Sequence, residues 1–177
     1  MEFELLGGAT AGPKLALDHE RFAYAGKFVM PSRKAVARAD GELVGAVAFS
    51  EDHADESAVR LRYVTVREDR RGEGIGPRLL RFTAARVADQ YEAVLIAANT
   101  PTAHQACYRA GFVYTGEQTG IAELLLRYQP GSRDPEEYRA GFAVFQEREL
   151  PAPHAAVCER HAGGDPPAVV ADPAAGT

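Results

Sequence analysis

The chain has 177 residues, the length of one ordinary domain or of one domain with an extension. It is 46% hydrophobic and 25% charged, a globular composition, and its formal charge of −5 argues against a nonspecific binder of nucleic acid or of an anionic membrane. Two cysteines, Cys107 and Cys158, cannot make a disulfide framework. The acidic start lacks a signal-peptide pattern and no apolar run reaches membrane-spanning length, so a cytoplasmic protein is the expectation.

The elements follow in chain order. Phe3 to Leu6 reads as a short strand, and Leu17 to Phe28 has roughly helical spacing. Lys34–Ala39 and Leu43–Ser50 flank Asp40-Gly41, a hairpin signal. Residues 51–56 form a polar, acidic turn before a strand over Val59–Val66. Pro77 to Gln90 predicts a helix with proline in its first turn. Ala93–Ala98 is an apolar run of strand length, expected to be buried on both faces. Thr102–Ala110 predicts a helix stopped by Gly111, followed by strands over 112–116 and 122–128. Asp134-Pro135-Glu136-Glu137 predicts a helix start. That helix either stops at Gly141, with an extra strand over 142–148, or continues as one amphipathic helix through Tyr138, Phe142 and Phe145. Either form suits a sheet edge or a homodimer contact. The expected organisation is a domain over 1–130, an appended element over 131–149 and a flexible Pro/Ala/Gly-rich tail over 150–177.

The richest chemistry lies between the strand ending at Val66 and the helix near Pro77. Arg71-Gly72-Glu73-Gly74-Ile75-Gly76 is an arginine- and glycine-rich turn. Glycines permit a sharp turn and close approach of a ligand. Successive backbone N–H groups in such a turn make a nest for an anion, and the following helix adds the positive end of its dipole. Arg71 adds charge, so the turn suits a pyrophosphate. No Lys-Ser/Thr pair follows, which excludes a P-loop, and Leu79 stands where a dinucleotide fingerprint needs its third glycine.

Arg71-x-x-Gly74-x-Gly76 between strand and helix resembles the acyl-CoA signature of the GCN5-related N-acetyltransferase (GNAT) superfamily. The strand 93–98, Asn99 and the helix ending Cys107-Tyr108-Arg109-Ala110-Gly111-Phe112 are similar to the later motif of that family. The resemblance covers about residues 1–128. It implies an α/β (α+β) fold, with a mixed, mostly antiparallel sheet of six to seven strands splayed near its centre and flanked by helices. It implies acetyl transfer from acetyl-CoA to a primary amine of a small molecule or protein, without a metal. Val64 and Val66 would pair with the pantetheine, residues 71–76 would hold the pyrophosphate, and Asn99 would either bind the cofactor or cap the next helix.

The chain departs from the family pattern in two places. Arg60 stands where many members carry an acidic base, which leaves Glu56 or Asp55 in the preceding turn, or a water relay. An arginine here, Arg60 or Arg62, would instead suit a carboxylate on the acceptor. The acid to the leaving thiolate falls on Cys107 by the family spacing and on Tyr108 by residue type; one helical step turns a side chain by about 100°, so only one of them can face the sulfur. Acceptor specificity is expected from 17–32, from 51–56 and from the loop near 118–120. The uncertain base and acid keep a second function open, an acyl-CoA-binding sensor or interaction protein without turnover. A third is an adaptor that binds no CoA. His154, Cys158 and His161 are zinc-ligand types, but three in a Pro/Ala-rich tail lack a partner pair, and no metal is expected.

Overall fold

The computed structural model describes residues 1–174, which fall into two compact units. One comprises Met1–Val94 with the chain from Ala171, the other Leu95–Val170. Seven strands and flanking helices give the α/β class that the sequence implies.

The first unit is built on four antiparallel strands in the order β1 (Glu2–Leu6), β2 (Arg33–Ala39), β3 (Glu42–Glu51) and β4 (Ala58–Val66). The β2–β3 hairpin closes where expected. Asp40 and Gly41 take φ of 51° and 80°, the left-handed pair that a two-residue turn between twisted strands needs. Two bulges interrupt the ladders: Val44 is the extra residue opposite Ala37–Arg38, and Arg62 the extra residue opposite Ala48–Phe49.

Helix α1 (Ile75–Val87) packs on β3 and β4. A Cβ at Gly45 would stand 3.3 Å from Leu79 Cδ2 and 3.4 Å from Ile75 Cγ2, so the bare backbone sets how closely α1 lies on β3. α1 starts two residues before Pro77, because left-handed Gly74 (φ 75°) lets the chain enter the helix at once.

The chain between β1 and β2 covers a further part of this sheet, and here the structure corrects the helix expected over 17–28. Only a 3-10 turn forms, at Ala25–Val29. Tyr24 is left-handed (φ 59°), which stops an α-helix from propagating. The apolar residues act as separate anchors: Phe28 is fully buried, and Leu15 and Leu17 pack with Val36, Ala46 and Ala48. Lys34, fully buried in β2, pins the segment by donating from Nζ to the carbonyls of Met30 and Ser32, each at 2.6 Å. Burial lowers its pKa.

In the second unit the order is β5–β7–β6, all antiparallel: β5 (Ala93–Ala98, begun in the first unit), β6 (Phe112–Gln118) and β7 (Leu124–Tyr128). β5 is not fully buried on both faces; Val94, Ile96 and Ala98 are buried and alternate with half-buried neighbours. Helix α2 (Pro101–Arg109) is capped by Thr100, whose Oγ1 accepts from Ala103 N at 3.1 Å. It ends at left-handed Gly111 (φ 93°). Asp134 caps α3 (Pro135–Gln146), accepting from Glu136 N at 2.9 Å. α3 runs through Gly141 as one helix, so no strand forms over 142–148. In the tail, Ala152–His161 forms a fourth helix, α4, in which Cys158 is buried. Beyond it, Asp165 pairs with Arg139 at 2.9 Å and Val170 N donates to Arg109 O at 2.8 Å. In the first unit, Asp172 pairs with Arg86 at 3.0 Å. No helix among the described residues is long and apolar enough to cross a membrane.

His104 of α2 organises the second unit. It is fully buried, stacks on Tyr138 (centroids 5.5 Å, 15°) and meets Phe142 edge-on at 4.8 Å. Its Nε2 lies 3.0 Å from the Tyr138 carbonyl, which accepts and so fixes the proton on Nε2. The ring lies against Gly141, where an added Cβ would come within 2.4 Å of it. That contact explains why α3 carries a glycine in mid-helix.

Gly141→Ala should therefore lower stability by about 1–3 kcal/mol in thermal unfolding. In the double variant with His104→Ala the two losses should not add. Burial also pushes the His104 pKa down to about 4. An unfolded histidine takes up its proton near pH 6.5, so between 6.5 and 4 protons favour the unfolded chain. The contribution of His104 is full above pH 6.5 and falls by roughly 3 kcal/mol as the pH drops through 4. Denaturant titrations across that range should show a smaller loss in His104→Phe than in the natural protein.

Candidate active site

The glycine turn is anchored at its entry by Arg67. This buried guanidinium donates to Asp69 at 2.6 and 3.1 Å and to Glu42 at 2.9 Å, and both carboxylates raise its pKa. Its own N–H donates to the carbonyl of the bulged Val44 at 2.9 Å. A single turn of 3-10 helix, Glu68–Arg70, follows. Gly72 and Gly74 then take left-handed φ of 83° and 75°, and α1 begins.

This path leaves the backbone N–H groups of Gly72, Glu73, Gly74, Ile75 and Gly76 without an acceptor among the described residues. A Cβ at Gly72 would meet nothing within 4 Å, and one at Gly76 only Val66 Cγ2 at 3.7 Å, so the turn is open to a ligand. Three arginines around it differ in role. Arg70 is tied to Glu73 at 2.8 Å, and that bond holds the Glu73 carboxyl below its ordinary pKa. Arg78 Nε and Nη2 donate to the carbonyls of Gly74 and Glu73 at 3.2 and 3.3 Å. Arg71 is exposed, with only a long contact from Nε to Val66 O at 3.4 Å and no carboxylate partner among the described residues. Free donors, a helix N-terminus and one free cation together suit a phosphate group. Val64 and Val66, half-buried, lead into this turn at the end of β4.

At the other end of β4 the acids are sorted by their partners. Asp55 Oδ1 accepts from Ser57 N at 2.9 Å and from Ser57 Oγ at 2.6 Å, which lowers its pKa and makes it a turn-former. Asp52 is buried and lies 3.3 Å from Arg60 Nε. Sequence reasoning passed over Asp52; the register that sets Ser50 opposite Arg60 is what brings it there. Glu56 is exposed. It lines an open cleft of about 610 Å³ with Glu51, Asp89, Tyr91 and Glu92. It stands six residues before Arg62, well beyond direct reach of the strand's centre.

The two candidate acids are in the second unit, and neither offers a proton to an open surface. Tyr108 is 1% exposed; its hydroxyl accepts from Tyr114 N at 2.9 Å, and its ring packs edge-on against Tyr138 at 4.7 Å. Burial pushes its pKa up to about 12. Cys107 is buried and its thiol is likewise pushed up to about 12. Asn99 is exposed after β5, and the cap of α2 is Thr100, so Asn99 has no capping role. Among the described residues no group of three or more His, Cys, Asp or Glu is placed to hold a metal ion.

Residues 31–114, from just before β2 to Tyr114 in β6, match the family model described as an acetyltransferase (GNAT) domain. No curated protein matches the sequence. A solved GNAT family acetyltransferase from Elizabethkingia anophelis, with acetyl-CoA bound, is 15% identical at a TM-score of 0.50, over 72% of this chain and 97% of that one. The IAA acetyltransferase from Bacillus cereus is 19% identical at a TM-score of 0.49, over 71% of this chain and 98% of that one. A structure from Corynebacterium glutamicum, described as histone acetyltransferase HPA2 and related acetyltransferase, is 28% identical at a TM-score of 0.43, over 57% and 66%. The match to a GNAT acetyltransferase domain is thus confined to residues 31–114, which include the glycine turn.

Proposed function

We propose that the protein transfers an acetyl group from acetyl-CoA to a primary amine. The observation that carries this reading is the turn 72–76 at the start of α1, where five N–H groups have no acceptor, and neighbouring Arg71 no carboxylate, among the described residues. There the pyrophosphate of the donor would accept hydrogen bonds from the backbone and pair with Arg71. Glu73 contributes its N–H, while its carboxylate stays on Arg70.

The pantetheine arm then runs back along β4 past Val66 and Val64. Between phosphate and sulfur it has about twelve chain atoms, the length of about four extended residues or roughly 13 Å. Four residues back from Val66 is Arg62, the bulged position. The thioester would lie there. The neutral amine nitrogen attacks the carbonyl carbon; the C–N bond forms, the C–S bond breaks with its electron pair leaving on sulfur, and the surplus proton on nitrogen passes to that sulfur or to water. A thiol has an ordinary pKa near 8.5, so the thiolate is a competent leaving group without a dedicated acid. In this reading Tyr108 and Cys107 serve as packing, which their burial supports.

An alkyl ammonium, with a pKa near 10, must first lose a proton. Asp52, held beside Arg60 on β4, is the carboxylate we assign to take it, directly or through a water. The burial of both candidate acids favours one second reading, an acyl-CoA-binding protein without turnover. Release of free thiol from acetyl-CoA in the presence of amines separates the two.

Arg71→Ala should weaken acetyl-CoA binding by about 5- to 50-fold in calorimetric titration, the loss of one charge-assisted pair. An unchanged affinity in a folded variant would remove the phosphate assignment. Asp52→Asn should lower kcat/KM at pH 7 by at least about tenfold, and the deficit should shrink toward pH 10 as the amine deprotonates by itself. A deficit constant with pH would mark Asp52 as purely structural.

A further inference from the structure

The centre of β4 carries a second group of residues, separate from the phosphate turn. Arg60 and Arg62 both lie there, and their charges are handled differently. Arg60 has Asp52. Arg62 donates from Nε to Ser50 Oγ at 2.7 Å and from Nη2 to the Glu51 carbonyl at 2.8 Å, both neutral acceptors. Its Nη1 has no partner among the described residues. Burial, and then the nearby Arg60, lower the Arg62 pKa, and Asp52 and Tyr63 offset only part of that.

The next residue, Tyr63, meets two residues of the covering segment. Tyr24 faces it with ring centroids 6.0 Å apart, and Lys27 Nζ lies 5.5 Å from the Tyr63 centroid. Tyr24 is 55% exposed and Lys27 is exposed, without a carboxylate partner among the described residues. The left-handed φ of Tyr24, 59°, is unusual for a bulky residue and is what brings its ring over the strand. Two cations with no carboxylate hydrogen-bonded to them among the described residues thus lie beside exposed Tyr24 and half-buried Tyr63.

We propose that this group recognises the acceptor, and that the acceptor is an α-amino acid or a close analogue with an apolar side chain. The carboxylate pairs with Arg62, supported by Lys27, and the side chain lies against Tyr24 and Tyr63. The assignment rests on the acetyl-transfer reading above, because it takes the thioester to lie beside the Arg62 bulge. The geometry selects among amines. Arg62 is both the bulged residue and a cation with no carboxylate hydrogen-bonded to it among the described residues, so a carboxylate held there keeps the amine near the thioester only when amine and acid are close neighbours in the acceptor. A planar guanidinium with free donors fits a carboxylate better than it fits another cation.

The test pairs acids with their decarboxylated counterparts on the full-length protein. L-phenylalanine, L-methionine and L-leucine are compared with phenethylamine, 3-methylthiopropylamine and isoamylamine, with spermidine as a polyamine, and thiol release from acetyl-CoA is followed. The acids should be preferred by about tenfold or more in kcat/KM, the effect of one charge-assisted pair. Arg62→Gln should collapse that preference to near unity, Arg62→Lys should restore part of it, and the acetyl-CoA Kd should stay within about twofold. Lys27→Gln, on the exposed segment, should lower the same ratio by a smaller factor and serves if the Arg62 variants fail to fold. Preference for the plain amines or for spermidine overturns the proposal. So does a protein that binds acetyl-CoA yet acetylates none of the acids, or an acid preference that survives in folded Arg62→Gln. Absence of acetyl-CoA binding is a different failure: it removes the transfer reading, and this proposal with it.

Discussion

The site depends on one local arrangement, five backbone N–H groups in a row with no acceptor among the described residues. An isolated donor of this kind costs free energy when it is withdrawn from water, so a chain tolerates several together only where solvent or an anion can reach them. Two left-handed glycines, Gly72 and Gly74, produce the arrangement by turning the backbone before α1 can supply acceptors. Arg67 makes it rigid. Its buried guanidinium ties Asp69 and Glu42 together, and its N–H uses the carbonyl that the Val44 bulge sets free. The β2–β3 bulge, far from the turn in sequence, thereby helps to place it.

The same logic of partnered and unpartnered charge sorts the rest of the first unit. Arg60, Arg67, Arg70 and Arg86 each face a carboxylate. Among the described residues, Arg71 and Arg62 have no carboxylate hydrogen-bonded to them. One stands at the phosphate end of β4 and the other four residues behind Val66, a separation that matches the donor's arm. Exposed ion pairs contribute little to stability, so the value of this pattern lies in which charges remain available.

Much of this was legible in the sequence, for reasons that can be named. Asp40-Gly41 and Gly72 to Gly76 declare their backbone conformations by residue type, and Ala93–Ala98 declares a strand by its apolar run. The helix cap at Asp134 was equally plain. Other features depend on contacts between distant residues. The spacing of Leu17, Phe22 and Phe28 imitates a helix, yet these residues are held by a sheet face and by Lys34, which no local pattern reveals. Asp52 comes beside Arg60 through a strand register, whereas Glu56, four residues on, lines an open cleft. Tyr108 carries the residue type of a catalytic acid one helical step from the family position, and that step turns it into the aromatic core around His104. The tail reads as Pro/Ala-rich, but Ala152–His161 has enough helix formers for a short helix, with Cys158 as its buried residue.

The central claim is that the backbone of the glycine turn binds the donor's pyrophosphate. Amide resonances of the isotope-labelled protein, followed by NMR during titration with acetyl-CoA and separately with acetyl-pantetheine, which lacks the pyrophosphate, address it directly. The account predicts large downfield shifts for the N–H groups of Gly72, Glu73, Gly74, Ile75 and Gly76 with acetyl-CoA and small ones with acetyl-pantetheine. Equal responses to both ligands, or shifts that leave these five amides unmoved while acetyl-CoA saturates the protein, would contradict it.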